Sequence, residues 1–231
     1  MRAKDESLYA AEALLRIHDK NGNFISPAEA IPILEESGLI IPVGKWIIQN
    51  AFSMCTECRK YYPEFRVSIN LSYVQILKSP LMMELKQIID HSGISCSGII
   101  VELTESGYLE GTPAVRSVWN DMKQLRIQIA LDDFGTGYSN LMNISNLEPD
   151  IVKLNRGFTL KALSRSYEYQ LMQYVIEMVH KLNQYVCVEG VETKEDLEKI
   201  KALGPDLIQG YYYSKPCSRD EFLKKFFDYS E

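Results

Sequence analysis

Apolar residues in this chain fall into two kinds of run. Short, nearly continuous stretches rich in Val, Ile and Leu occur around 8–16, 66–71, 97–103, 127–132, 150–154, 185–188 and 207–209. Strands covered on both faces read this way, because neither side of the pleat meets water. Between them lie amphipathic segments around 27–37, 43–61, 79–91, 112–124, 165–183, 194–203 and 218–228. Their apolar positions fit a helix with one buried face. Ser26-Pro27 followed by Glu29 predicts a helix start, and Gly38 follows its end. Thr193 precedes the segment at 194–203, Gly204-Pro205 stops it, and Ser218 is placed to cap the last helix.

Strands alternating with helices predict a parallel sheet. The glycine fingerprints of nucleotide-binding loops, GxGxxG and GxxxxGK, are absent. A doubly wound fold thus lacks its signature. A (β/α) barrel is preferred, since it builds its site from the C-terminal ends of many strands. The pattern yields seven strands, one short of a complete barrel. The deficit is placed at the N-terminus, where the first strand begins almost at once. No low-complexity segment, proline-rich linker or repeat divides the chain, so residues 1–231 are expected to form a single domain.

Composition narrows the function. The 231 residues are 46% hydrophobic, enough for a substantial core, and the formal net charge is −6. Nothing in that balance draws the chain to nucleic acid or an anionic membrane. No run approaches the ~18 apolar residues of a membrane span, and the acidic N-terminus is no signal peptide. The five cysteines (Cys55, Cys58, Cys96, Cys187 and Cys217) are odd in number and irregularly spaced, as expected of a reducing cytoplasm. Cys55 and Cys58 form a lone CTEC without the second ligand pair of a zinc site, and read better as ordinary helix positions. His18, His91 and His180 are scattered, which gives triad chemistry little support.

The polar residues that close the strands carry the chemistry. In chain order they are Glu12, Asn70, Glu102 with Glu105, Asp132 with Asp133, Lys153, Glu189 with Glu192, and Gln209. A charge in an apolar strand is costly to bury unpaired. Any one of these acids is explained by a salt bridge, but so many on parallel strands would meet on one face and repel. Lys153 alone cannot neutralise them, whereas divalent metal can. Carboxylates and an amide, without His or Cys, select Mg²⁺, Mn²⁺ or Ca²⁺ over zinc. The adjacent Asp132 and Asp133 suit two ions, which would clamp a phosphoryl centre. Lys153 would orient the attacking water or stabilise phosphate charge. After them, FGTGYSN reads equally as a functional lid or an ordinary turn.

Together these residues resemble the EAL family of cyclic di-GMP phosphodiesterases. The matching motifs are EALLR at 12–16, NLS at 70–72, ELTES at 102–106, DDFGTGYS at 132–139, VKLN at 152–155, EGVET at 189–193 and QGYYYSKP at 209–216, all in family order. The resemblance implies a TIM-like barrel that hydrolyses cyclic di-GMP to linear pGpG with two Mg²⁺ or Mn²⁺ ions in bacterial signalling. It implies that Glu12, Asn70, Glu102 and Asp132 ligate the first metal, and that Asp132 bridges to a second held also by Asp133. By the same resemblance Lys153 would hold the nucleophilic water, and Glu189 would be the acid beside the second metal, sometimes assigned as general base in the family. The resemblance likewise implies that Gln209 joins this cluster through water, that Arg16 contacts phosphate, and that Glu192 and Pro216 border the guanine. Glu105 resembles the residue that steadies the loop after DDFG and couples homodimerisation to activity. Sensory or GGDEF-type domains are the regulators such a domain implies.

Two departures stand out. The family's opening strand, with its Gln-Pro motif, belongs before residue 7 and is missing. The family's usual Asp two residues after the lysine is replaced by Asn155. A catalytically silent cyclic di-GMP receptor is therefore the alternative reading.

Overall fold

The computed structural model describes residues 1–104, 112–135 and 148–227. These divide into two compact units, one of residues 11–103 and 112–127, the other of residues 1–10, 104, 128–135 and 148–227. Strands form at all seven apolar stretches: β1 (Ala10–Ala13), β4 (Arg66–Asn70), β5 (Ile99–Thr104), β6 (Gln128–Phe134), β7 (Ile151–Leu154), β8 (Tyr185–Glu189) and β9 (Leu207–Gln209). A short antiparallel pair, β2 (Ile17–His18) and β3 (Phe24–Ile25), follows β1. Its turn is held by the Asp19 carboxylate, which accepts the N–H groups of Asn21 and Asn23.

In the first unit β4 lies between β1 and β5. β4 and β5 run parallel, with Asn70 directly beside Glu102. Helix α1 (Pro27–Glu36) starts where predicted, Ser26 Oγ accepting the Ala28 N–H. Helix α2 (Ile40–Cys58) buries a stripe that includes Ile48, Phe52, Cys55 and Cys58. Both cysteines of the CTEC are 0% exposed. They are core positions, and burial pushes the Cys55 thiol up to about 11. Helices α3 (Tyr73–Lys78), α4 (Leu81–Ser92) and α5 (Pro113–Gln124) complete this unit.

In the second unit β6, β7, β8 and β9 form a parallel run in chain order. Between them lie α6 (Arg156–Ser164), α7 (Ser166–Lys181) and α8 (Lys194–Lys201), and α9 (Arg219–Phe227) follows. The starts of β7 and β9 share one device. Asp150 and Asp206, each after a proline, turn their carboxylates onto the N–H groups of Ile129 and Val186 in the preceding strands. Each closes one backbone donor that the ladder leaves open at its end.

No named strand precedes β1 among the described residues. The N-terminal residues nevertheless run antiparallel beside β9. Arg2 bridges Leu207, the Met1 ammonium donates to Ile208 O at 2.9 Å, and Ile208 N–H donates back to Met1 O at 2.9 Å. Burial lowers the pKa of that ammonium. The edge of β9 is thus covered at these residues.

Candidate functional site

The strand-end residues gather in two groups, one in each unit. In the first, Asn70 donates its Nδ2 to Glu12 Oε1 at 2.7 Å, and the β4–β5 register sets Asn70 next to Glu102. Glu102 is only 3% exposed, although it is a carboxylate. Three predicted metal ligands are therefore neighbours here. Arg16 lies beyond β1, its guanidinium 5.8 Å from the Phe24 ring and bonded to Leu15 O.

The second group centres on Lys153. All four residues of β7 are buried, Lys153 among them at 3% exposure. Its ammonium lies 3.2 Å from Asp132 Oδ1 and 2.8 Å from Glu189 Oε1, so both flanking strands supply a carboxylate to it. A lysine inside an apolar strand is tolerable only with such partners. Glu189 is in turn in register with Gln209 of β9.

A bulge explains how two adjacent aspartates face one side. Leu131 pairs with Val152 and Phe134 with Leu154, so β6 advances three residues while β7 advances two. In a regular strand Asp132 and Asp133 would point to opposite faces. The extra residue, with Asp133 at φ 60°, re-aims them. Asp132 meets Lys153, and Asp133 Oδ1 accepts Asn155 Nδ2 at 2.6 Å. Lys153 and Asn155 are two positions apart and share a face.

Glu192 is held by Arg156, whose Nη2 and Nε lie 2.7 and 3.1 Å from Glu192 Oε1. Sequence reasoning overlooked Arg156, since an arginine opening a helix carries no local signal of its partner. Gly190 makes room for it. Its φ is +82°, and an added Cβ would meet Arg156 Cβ at 2.8 Å and its Cα at 3.1 Å. Gly190→Ala is expected to cost about 2 kcal/mol through left-handed strain and this contact. A lowered urea midpoint measures it, and an unchanged midpoint would show that Arg156 moves aside freely. Pro216 lines a shallow cavity of about 440 Å³ with Tyr211, Lys215 and Lys225. Glu105 lies outside the described residues.

Among the described residues, no three His, Cys, Asp or Glu side chains are grouped as a metal cage. The acids make contacts to Asn70, Lys153 and Asn155. The donor chemistry still fits a hard cation. The buried Glu102 carboxylate, Glu12 and the Asn70 amide supply oxygen in one unit, and Asp132 and Asp133 supply it in the other.

Comparison with known proteins agrees with this geometry. Cyclic di-GMP phosphodiesterase PdeF of Escherichia coli (strain K12) is 31% identical over 205 residues, 89% of this chain and 27% of PdeF. Cyclic di-GMP phosphodiesterase PdeR of the same organism is 32% identical over 205 residues, 89% of this chain and 31% of PdeR. The chain thus spans less than a third of either relative. The EAL enzyme Bd1971, in its cAMP- and cyclic di-GMP-bound form, aligns with a TM-score of 0.92 at 29% identity, over 97% of this chain and 62% of that one. The PaMucR phosphodiesterase in complex with c-di-GMP aligns at 0.84 and 27% identity, over 92% and 86%. The EAL domain family matches residues 1–216. On these residues, this fold and these likenesses, the chain belongs to the EAL domain family, whose TIM-like (β/α) barrel fold it shares.

Proposed function

We propose that this chain is a metal-dependent phosphodiesterase that hydrolyses cyclic di-GMP to linear pGpG. The observation that carries the reading is Lys153, buried in β7 with Asp132 and Glu189 at 3.2 and 2.8 Å. A buried cation between two acids has the donors and acceptors needed to hold one water and move its proton. When bound, Mg²⁺ or Mn²⁺ supplies positive charge against phosphate oxygens and acidifies water.

Glu12, Asn70, Glu102, Asp132 and Asp133 are the residues that hold the two ions in this reading, with Gln209 acting through water. Lys153 orients the nucleophilic water, and Glu189 accepts its proton as the water oxygen bonds to phosphorus, one ester P–O bond breaks, and the departing sugar oxygen takes a proton from solvent to leave as a hydroxyl. Arg16 binds phosphate, while Glu192 and Pro216 border the guanine. In the family's manner the chain acts as one domain and a homodimer, with Glu105 coupling the loop after Asp133 to the partner, under sensory or GGDEF-type domains in the cytoplasm. The described residues include no helix long and apolar enough to cross a membrane.

Incubating the protein with cyclic di-GMP and Mg²⁺ or Mn²⁺, and following pGpG by chromatography, tests the reading. Release of pGpG that EDTA abolishes is the expected result. Binding without product would replace it with the silent receptor, the reading that Asn155 favours. Neither binding nor product would remove both.

A further inference from the structure

Asp133 occupies the left-handed backbone region at φ 60°, which costs a typical L residue about 1–2 kcal/mol that local contacts must offset. These contacts are visible. Asn155 Nδ2 donates to Asp133 Oδ1 at 2.6 Å, while Asn155 Oδ1 accepts the Gly157 N–H at 2.6 Å and caps α6. Asn155 N–H also donates to Phe134 O at 3.1 Å, continuing the ladder past the bulge. The two side-chain partners make opposite demands. The Gly157 amide only donates, and the Asp133 carboxylate only accepts. A carboxamide meets both at once. A carboxylate at 155 would cap the helix equally well but would face Asp133 as a like charge.

We infer that Asn155 is a positioning residue that fixes Asp133 at the bulge without the help of a cation. An acid in its place would leave Asp133 dependent on bound metal for the same position. The part concerning metal rests on the function proposed above, whereas the part concerning the amide bridge does not.

A pair of variants tests it in EDTA-treated protein. Asn155→Asp keeps the cap, so a purely capping role leaves the melting temperature unchanged or slightly raised. The amide bridge instead predicts a fall of about 3–6 °C. Combining Asn155→Asp with Asp133→Asn returns the amide to the pair from the other side, and is expected to recover most of that loss, a coupling that independent sites would not show. Mn²⁺ titrated calorimetrically is expected to bind Asn155→Asp about 10-fold more tightly than wild type. A metal-free single variant as stable as wild type, or a double variant with no recovery, overturns the bridge. An unchanged Mn²⁺ affinity alongside the stability coupling overturns the metal dependence of Asp133 and leaves the bridge standing. A failure of the phosphodiesterase reading is separate, since it shows as absent pGpG from the wild type.

Discussion

Lys153→Met is expected to lower cyclic di-GMP turnover by about 10³-fold, the scale lost when an electrostatic group at a reacting centre is removed. It is also expected to destabilise the fold by about 3 kcal/mol. Both effects have one cause. Lys153 is 3% exposed, and its ammonium is shared by Asp132 at 3.2 Å and Glu189 at 2.8 Å. Methionine fills the space but leaves two carboxylates facing each other without the cation between them. Divalent metal should restore part of the lost stability by supplying the missing charge, yet little of the turnover if the ammonium orients the attacking water as proposed above. Pre-steady-state pGpG release and thermal denaturation, each with and without Mn²⁺, measure the two effects. Turnover within threefold of wild type would remove Lys153 from the reaction.

Glu12→Ala should separate activity from stability. Glu12 is half-buried, and its partner Asn70 is exposed at the end of β4. Water can replace the lost carboxylate on the Asn70 amide, so the fold should change by only about 0.5 kcal/mol. Turnover should nevertheless fall below detection. Residues that merely support a metal ligand cost about 10–100-fold in affinity when removed, and a direct ligand costs at least as much. Calorimetry with Mn²⁺ alone should show that loss without substrate present. Wild-type turnover in Glu12→Ala would sink the metal assignment, while a large fall in melting temperature would make Glu12 a structural residue. Lys153→Met and Glu12→Ala thus differ in kind, one strongly coupled to the fold and the other not.

The helices that the sequence marked are those with long apolar faces or sharp end signals. α1 and α8 begin at Ser26 and Thr193 as predicted, because an N-cap acts on N–H groups two or three residues away. α3 and α6 escaped notice. α3 is six residues long, and α6 starts directly at the strand end behind Asn155. Segments so short give periodicity little room to register. β2 and β3 escaped for the same reason, at two residues each.

The residue types at the strand ends, and hence a hard-cation chemistry, were legible because each lies inside or just after a local apolar run. The family followed from their order. The contacts among these residues were not legible in that way. Asn70 meets Glu12 across 58 positions and Asn155 meets Asp133 across 22. Lys153 reaches Asp132 and Glu189 on two other strands. Hydrophobic patterning says which face of a strand is covered, but not which residue of the next strand lies alongside. Register and the bulge between Leu131 and Phe134 decide that. Which strands end in acids can be read from the chain alone. That Asp132 rests on an ammonium and Asp133 on an amide comes from strand packing, because one extra residue in β6 turns two neighbouring side chains toward the same face.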